Sequence, residues 1–303
     1  MVHSNADDVK TAVRTALDAG YRLIDTAYNY LNEDAIGEVL EEYIKASKVT
    51  REELFITTKL GSVLTRPADV QYSMSESLRK LRLSCVDLFL IHQPMVLKKQ
   101  NDPNDVFPVR NGRLDHDGRV DLEGVWKEME KLVDEGKAKS IGISNFNAAQ
   151  VERIMKCARI KPVVNQVECH AYFPQTKLEA VLKKDNILIM AFAPFGSPGN
   201  AALLTNPGES PPPALLEDPV IAKLATKHKK TPAQILIRNL LQRNLIVIPK
   251  SITPSRIQDN GNVFDFELPS EDMDTIRGID KGIRIFRPSI MADTPDYPFK
   301  SPV

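Results

Sequence analysis

Short apolar runs alternate along this chain with amphipathic segments of helical period, and that alternation restricts the fold more than any other feature. A helix is expected over 7–19, with Val9, Val13, Ala16 and Leu17 on one face and Gly20 as its stop. The run YRLID over 21–25 reads as a strand, and 33–46 as a helix with Ile36, Val39, Leu40 and Tyr43 on its apolar side. Further strands are expected over 54–60, 86–92, 139–144, 162–168, 187–194 and 245–251. Helices are expected over 70–81, 122–135, 147–156, 178–184, 219–229, 232–242 and 254–262. Two long polar loops, 93–121 and 195–217, interrupt the pattern, and the tail from about 283 is irregular and Pro-rich. Loops of that length inside a compact domain are usually functional.

Seven strands, each followed by at least one helix, require a parallel sheet. Nearly continuous apolar runs suit strands buried on both faces. A doubly wound sheet and a closed barrel both satisfy this. Two observations favour the barrel. No GxGxxG follows any strand, and reactive side chains stand at the C-terminal ends of several different strands. The expected fold is therefore α/β, a (β/α)8 TIM barrel, incomplete with seven recognisable strands, forming one domain over 1–303.

Charge excludes some partners. With 40 basic and 40 acidic residues the net charge is zero, so no long-range field draws nucleic acid or an anionic membrane. Any anionic ligand must be held by a local site. No apolar run has the length of a membrane span, and the opening MVHSNADDVK has no apolar core of a signal peptide. Three cysteines, Cys85, Cys157 and Cys169, fit no zinc spacing and read as reduced thiols of a cytoplasmic protein. The five histidines (His3, His92, His116, His170, His228) are scattered, so a metal-dependent barrel hydrolase is disfavoured and no metal is expected.

Four residues carry the chemistry. Asp25 ends the first strand, Tyr30 follows five residues later, Lys59 lies near the end of the second strand, and His92 ends the third. Each type alone has an ordinary structural explanation as a cap, packing ring, solvated cation or hydrogen-bonded strand end. Together at successive strand ends they suit delivery of a proton to a carbonyl oxygen while hydride reaches its carbon. Tyrosine is too weak an acid unaided. A cationic Lys59 beside it should lower its pKa, and Asp25 should hold that lysine in place. A histidine can hydrogen-bond the carbonyl oxygen and orient the substrate.

The segments around these residues resemble a known family. GYRLIDTAYNYLNEDAIGEVL, ITTKL, DLFLIHQP, GISNF, NQVECH, AFAPFGS and IPKSITPSRIQDN follow one another as they do in the aldo-keto reductases, from about residue 4 to the DYPF at 296–299. The resemblance implies an NADP(H)-dependent oxidoreductase, of the alcohol dehydrogenase (NADP+) type, that reduces aldehydes or ketones to alcohols. It implies that Tyr30 is the general acid supported by Asp25 and Lys59, and that His92 orients the substrate carbonyl. It implies that Ser144, Asn145 and Gln166 bind the nicotinamide carboxamide, with Phe192 stacked on the ring where the family usually has Tyr. Lys250, Ser251, Thr253 and Arg256 would cradle the 2′-phosphate, Asn260 would contact the adenine, and Ser197 would contact the cofactor from the second loop. A Lys and an Arg near the last strand can hold a dianionic phosphate, which favours NADP(H) over NAD(H). A small-molecule carbonyl substrate and a monomer are implied, without nucleic-acid or membrane partners.

The chain departs from the family in several places. Family members open with a β-hairpin and a first strand, whereas here the first helix is reached by about Asp7. Unpaired edges near 22–25 and 245–249 and an uncovered barrel bottom are therefore expected. The alternative this suggests is a cofactor-binding barrel, catalytically impaired, acting by interaction or redox sensing. Gln93 follows His92 where an aromatic residue is usual, making the substrate pocket more polar. Gly199 stands where some relatives have an Asp, which should loosen the loop over the cofactor, and Ala171 replaces the usual Pro.

Overall fold

A computed structural model describes residues 5–200, 208–287 and 289–300. The chain divides into two compact units, residues 1–165 with 290–303, and residues 166–289.

In the first unit, Asn5 caps α1 (Ala6–Asp18), its side chain accepting from the Asp8 N–H at 2.8 Å, and Asp7 and Asp8 favour the same helix end. The helix buries Val9, Ala12, Val13 and Leu17. Residues 1–4 lie outside the described residues. The next elements are β1 (Leu23–Asp25), α2 (Glu33–Lys45), β2 (Phe55–Leu60), α3 (Val70–Leu81) and β3 (Val86–Ile91). β1 pairs with β2 and β2 with β3, both parallel, with Asp25 beside Thr57 and Lys59 beside Leu90. That register brings the C-terminal ends of the three strands level. α2 packs on α1 and α3. The close approach to α3 depends on Gly37, where a Cβ would lie 2.1 Å from the Lys80 carbonyl oxygen.

The loop 93–121 is not wholly irregular. It contains a hairpin, β4 (Val109–Arg110) and β5 (Arg113–Leu114), closed by Asn111 and Gly112 at φ 53° and 74°. Positive φ at both turn residues is the geometry that Asn-Gly supplies. α4 (Leu122–Asp134), β6 (Ala138–Ser144) and α5 (Ala148–Cys157) follow, and β6 pairs parallel with β3. A reciprocal capping box, Asn147 with Gln150, starts α5. Asp296 returns to this point: its carboxylate accepts from the Val120 N–H at 2.9 Å and its carbonyl from Gln150 Nε2 at 2.9 Å.

The chain passes from the first unit to the second within β7 (Val164–Glu168). In the second unit follow α6 (Thr176–Leu182), β8 (Leu188–Phe192), α7 (Pro219–His228), α8 (Pro232–Gln242), β9 (Ile246–Val247), α9 (Pro254–Gly261) and α10 (Ser270–Arg277). Strand order is β1-β2-β3-β6 in the first unit and β7-β8-β9 in the second. The last strand is shorter than expected. Ile248 still donates to Ala191 O at 3.1 Å, but Pro249 has no N–H to continue the ladder. α10, absent from the expected elements, buries Asp272 and Ile276. Ile276 joins Tyr172, Ile221, Ile235, Leu236 and Leu268 in one apolar cluster.

Glu168, at the end of β7, anchors the tail of this unit. Its buried carboxylate accepts from the backbone N–H of Ile285 at 2.7 Å and of Phe286 at 2.8 Å, and it meets His170 Nε2 at 2.9 Å. The Phe286 ring then stands edge-on to Phe192, with centroids 5.8 Å apart.

Candidate active site

The predicted catalytic residues come together in the first unit. Lys59 is completely buried on β2. Its ammonium donates to Asp25 Oδ1 at 2.6 Å, to the Thr26 carbonyl at 2.8 Å and to the Tyr30 hydroxyl oxygen at 3.4 Å. Three donors meet three acceptors, so the charge is fully engaged. Because the phenol oxygen accepts from Lys59, the phenol proton is directed elsewhere. Tyr30 closes a 3-10 turn, Tyr28–Tyr30, immediately beyond β1. The His92 ring stands edge-on to Tyr30, with centroids 5.4 Å apart and an interplanar angle of 81°.

Electrostatics sort these groups. Burial opposes the Lys59 charge, but the Asp25 carboxylate holds its ammonium above the ordinary lysine value. Burial pushes the Tyr30 phenol up, Lys59 pulls it down and Asp25 pushes it up again, with a net rise. The expected lowering by Lys59 is therefore outweighed. The physical reason is that Asp25, closer to the ammonium than the phenol is, neutralises much of its field, while the phenolate would lose water. Tyr30 thus keeps its proton at neutral pH. Burial, followed by repulsion from Lys59, drives the His92 imidazole well below its usual value, so it is neutral at pH 7.

Three buried polar atoms near the ends of β3 and β6 have no hydrogen-bond partner among the described residues: His92 Nδ1, Gln93 Oε1 and Asn145 Oδ1. Buried orphan polar atoms are rare in native proteins, and the two amide oxygens invite a ligand donor. Asn145 is held at φ 63°, with its amide nitrogen donating to the His92 carbonyl at 3.0 Å and to Ser144 Oγ at 3.1 Å. Ser144 ends β6 and is buried.

The remaining predicted binding residues lie in the second unit. Gln166 is buried on β7, with its amide nitrogen 2.9 Å from Met190 Sδ. Phe192 ends β8, half-buried, and Ser197 is half-buried at φ 49°. Gly199 is exposed, and a Cβ there would meet nothing within 4 Å. Lys250, Thr253 and Arg256 are exposed about the start of α9, Ser251 is half-buried and Asn260 is buried. Thr253 caps α9 without a side-chain bond, its own N–H being held by Ser251 Oγ at 3.1 Å. Lys250 and Arg256 form no ion pair among the described residues. Two unengaged cations beside open helix N–H groups fit a phosphate dianion.

Two of the three thiols, Cys157 and Cys169, are not activated. Burial pushes Cys169 up to about 12 and raises Cys157 as well. Among the described residues there is no group of three or more His, Cys, Asp or Glu that could hold a metal ion. No helix of the described residues is long and apolar enough to cross a membrane.

The family model described as Aldo/keto reductase family matches residues 2–281. The chain belongs to the aldo/keto reductase family. It is 41% identical to aldo-keto reductase family 1 member A1 of Gallus gallus, over 99% of this chain and 92% of that protein. It is 43% identical to aldo-keto reductase family 1 member C4 of Homo sapiens, over 94% of this chain and 87% of that protein. The solved structure of the aldose reductase from Schistosoma japonicum superposes with a TM-score of 0.90 at 43% identity, covering 99% of this chain and 93% of that one. The fold class is accordingly the α/β barrel type of this family, with seven strands besides the β4–β5 hairpin among the described residues, and the chain is a carbonyl-reducing oxidoreductase by family.

Sequence reasoning missed three residues that support the site. Asn29 and Ser62 hydrogen-bond each other behind Tyr30, and Glu168 anchors the tail against Phe192. Glu168 had a visible signal, an acid ending an apolar strand. Asn29 had only its place between two tyrosines.

Proposed function

We propose that this chain is an NADP(H)-dependent carbonyl reductase in which Tyr30 gives its proton to the substrate oxygen. One observation carries the proposal: a fully buried Lys59 spends its three donors on Asp25, the Thr26 carbonyl and the Tyr30 hydroxyl oxygen, which leaves the phenol proton free to be donated. Bound NADPH supplies the hydride. Neutral His92, with Gln93 beside it, receives and orients the carbonyl, and the buried site keeps the alkoxide from water. As the alkoxide takes the Tyr30 proton, the Lys59 ammonium stabilises the phenolate left behind. Asn145, with Ser144 and Gln166, would hold the nicotinamide carboxamide, and Phe192 would offer a ring face to the nicotinamide. Ser197 would contact the cofactor, Lys250, Ser251, Thr253 and Arg256 would hold the 2′-phosphate, and Asn260 would hold the adenine. The unengaged charges of Lys250 and Arg256 support NADP(H) over NAD(H).

The same reading treats 1–303 as one functional domain, since the family model runs through residues 2–281 without a break. It takes the working form to be a cytoplasmic monomer that meets small carbonyl compounds rather than nucleic acid or membrane, in keeping with its zero net charge. The test is NADPH oxidation with a reactive aromatic aldehyde. The expected result is turnover that Tyr30→Phe lowers by at least about a hundredfold while NADPH binding is kept. Tight NADPH binding with no turnover in the unaltered protein would instead favour a cofactor-binding, non-catalytic barrel. The raised thiols give no support to a redox sensor.

A further inference from the structure

Tyr30 sits on a single 3-10 turn of three residues, followed by Leu31 at φ 52°. Its backbone bonds are few: Tyr30 N–H to the Ala27 carbonyl at 3.0 Å and Leu31 N–H to the Tyr28 carbonyl at 3.3 Å. Short 3-10 segments have poor hydrogen-bond geometry and do not hold themselves rigid. Yet the Tyr30 hydroxyl lies 3.4 Å from Lys59 Nζ, at the long limit of a hydrogen bond. A displacement of the turn by a fraction of an ångström would break that contact. Something outside the turn must fix it.

Buried Thr26 and Asn32 bond across the base of the turn at 2.8 Å, and the contact nearest Tyr30 in sequence is a reciprocal pair of buried hydrogen bonds. Asn29 Nδ2 donates to Ser62 Oγ at 2.8 Å, and the Ser62 N–H donates to Asn29 Oδ1 at 3.2 Å. Asn29 is 3% exposed and Ser62 0%, so water competes for neither. Asn29 is the covalent neighbour of Tyr30, and Ser62 lies three residues beyond Lys59. The two bonds therefore join the segment that carries the acid to the segment that carries the ammonium. Ser62 is itself anchored: its carbonyl accepts from the Leu97 N–H at 2.9 Å. Gly61 completes the seat, because a Cβ there would come within 2.8 Å of the Tyr28 ring.

We propose that Asn29, acting through Ser62, is a positioning residue that sets the Tyr30 hydroxyl against Lys59. The proposal rests on the reading of Tyr30 as proton donor. It separates from a merely structural role because the turn bears the acid and none of the residues assigned to the cofactor. Loosening the turn should therefore lower kcat and leave cofactor affinity alone.

The experiment is a double-mutant cycle with Asn29→Ala, Ser62→Ala and the double variant, alongside Tyr30→Phe. Aldehyde reduction, NADPH binding by fluorescence and thermal melting are measured for each. Ser62→Ala, which keeps the backbone bond to Oδ1, is expected to lower kcat about tenfold. Asn29→Ala is expected to lower it about a hundredfold, the cost of an ångström-scale misplacement. The double variant should be no worse than Asn29→Ala, with KM and NADPH affinity within about twofold throughout. Unchanged kcat in Asn29→Ala, losses that multiply, or kcat and NADPH affinity falling together would overturn the proposal. If Asn29→Ala does not fold, Ser62→Ala decides alone by the same split between kcat and affinity. Tyr30→Phe keeps the two claims apart. Full turnover in Tyr30→Phe overturns both, whereas its loss together with an unaffected Asn29→Ala and Ser62→Ala overturns only this one.

Discussion

Replacing Asp25 with Asn keeps the shape of the site and removes one charge. The Asp25 carboxylate lies 2.6 Å from Lys59 Nζ, with 10% and 0% of the two side chains exposed. At an effective dielectric near 20, that separation corresponds to a gross attraction of roughly 6 kcal/mol. Desolvation of both ions offsets part of it, but removing one partner strands a buried ammonium, which costs about 3 kcal/mol. With a urea dependence of about 3 kcal/mol per molar, the unfolding midpoint of Asp25→Asn should fall by about 1 M at pH 7. The pH dependence has a definite sign. Asp25 raises the folded-state pKa of Lys59, so the stabilisation is fully present below the unfolded lysine value of about 10.4 and fades as pH rises through the folded one. The deficit of Asp25→Asn should therefore be full at neutral pH and shrink as alkaline pH removes the Lys59 proton, which burial without Asp25 makes easier. Urea titrations at several pH values measure it. An unchanged midpoint at pH 7, or a deficit that grows toward high pH, would refute the account of Lys59 as a buried, paired ammonium.

Two further outcomes follow from other parts of the chain. Arg256→Ala removes one of the two unengaged cations beside α9 and should weaken NADPH binding about ten- to a hundredfold while leaving NADH binding unchanged; equal losses for both nucleotides in a fluorescence titration would count against a 2′-phosphate site. Gly37→Ala places a Cβ against the Lys80 carbonyl, and overpacking against backbone outweighs the gain in helix propensity by about 2 kcal/mol, lowering Tm by about 4 °C; a raised Tm in a thermal melt would show that α2 and α3 can part without cost.

Much of the fold was legible because periodicity and punctuation agreed. Val70–Leu81 and Pro232–Gln242 begin and end where apolar period, caps and proline placed them. The misses have local causes. The 109–114 hairpin was hidden by its polar setting, although Asn111-Gly112 is a strong turn signal. The last strand stopped early because apolarity continues through Ile248 while Pro249 cannot donate. α10 carries few apolar residues, so its faint period did not register. At the candidate site, residue types and order were readable. The net acidity of Tyr30 was not, because it depends on burial opposing Lys59 and on Asp25 sharing that charge. The Asn29–Ser62 bridge was invisible for a related reason: contacts between residues thirty-three apart leave no local period.

The way Glu168 grips the tail has a consequence for diversification. Its carboxylate takes hold of backbone N–H groups at Ile285 and Phe286, not of their side chains. Such a grip does not depend on which side chains the tail carries, provided neither position is proline. The less buried positions beside this grip, Arg284 and Arg287, can therefore exchange their side chains, and with them their chemistry toward incoming molecules, while the backbone remains moored at the same point. A library randomised at 284 and 287 and excluding proline should yield interchangeable tails on an unaltered scaffold, with buried Ile285 and the Phe286 ring against Phe192 kept.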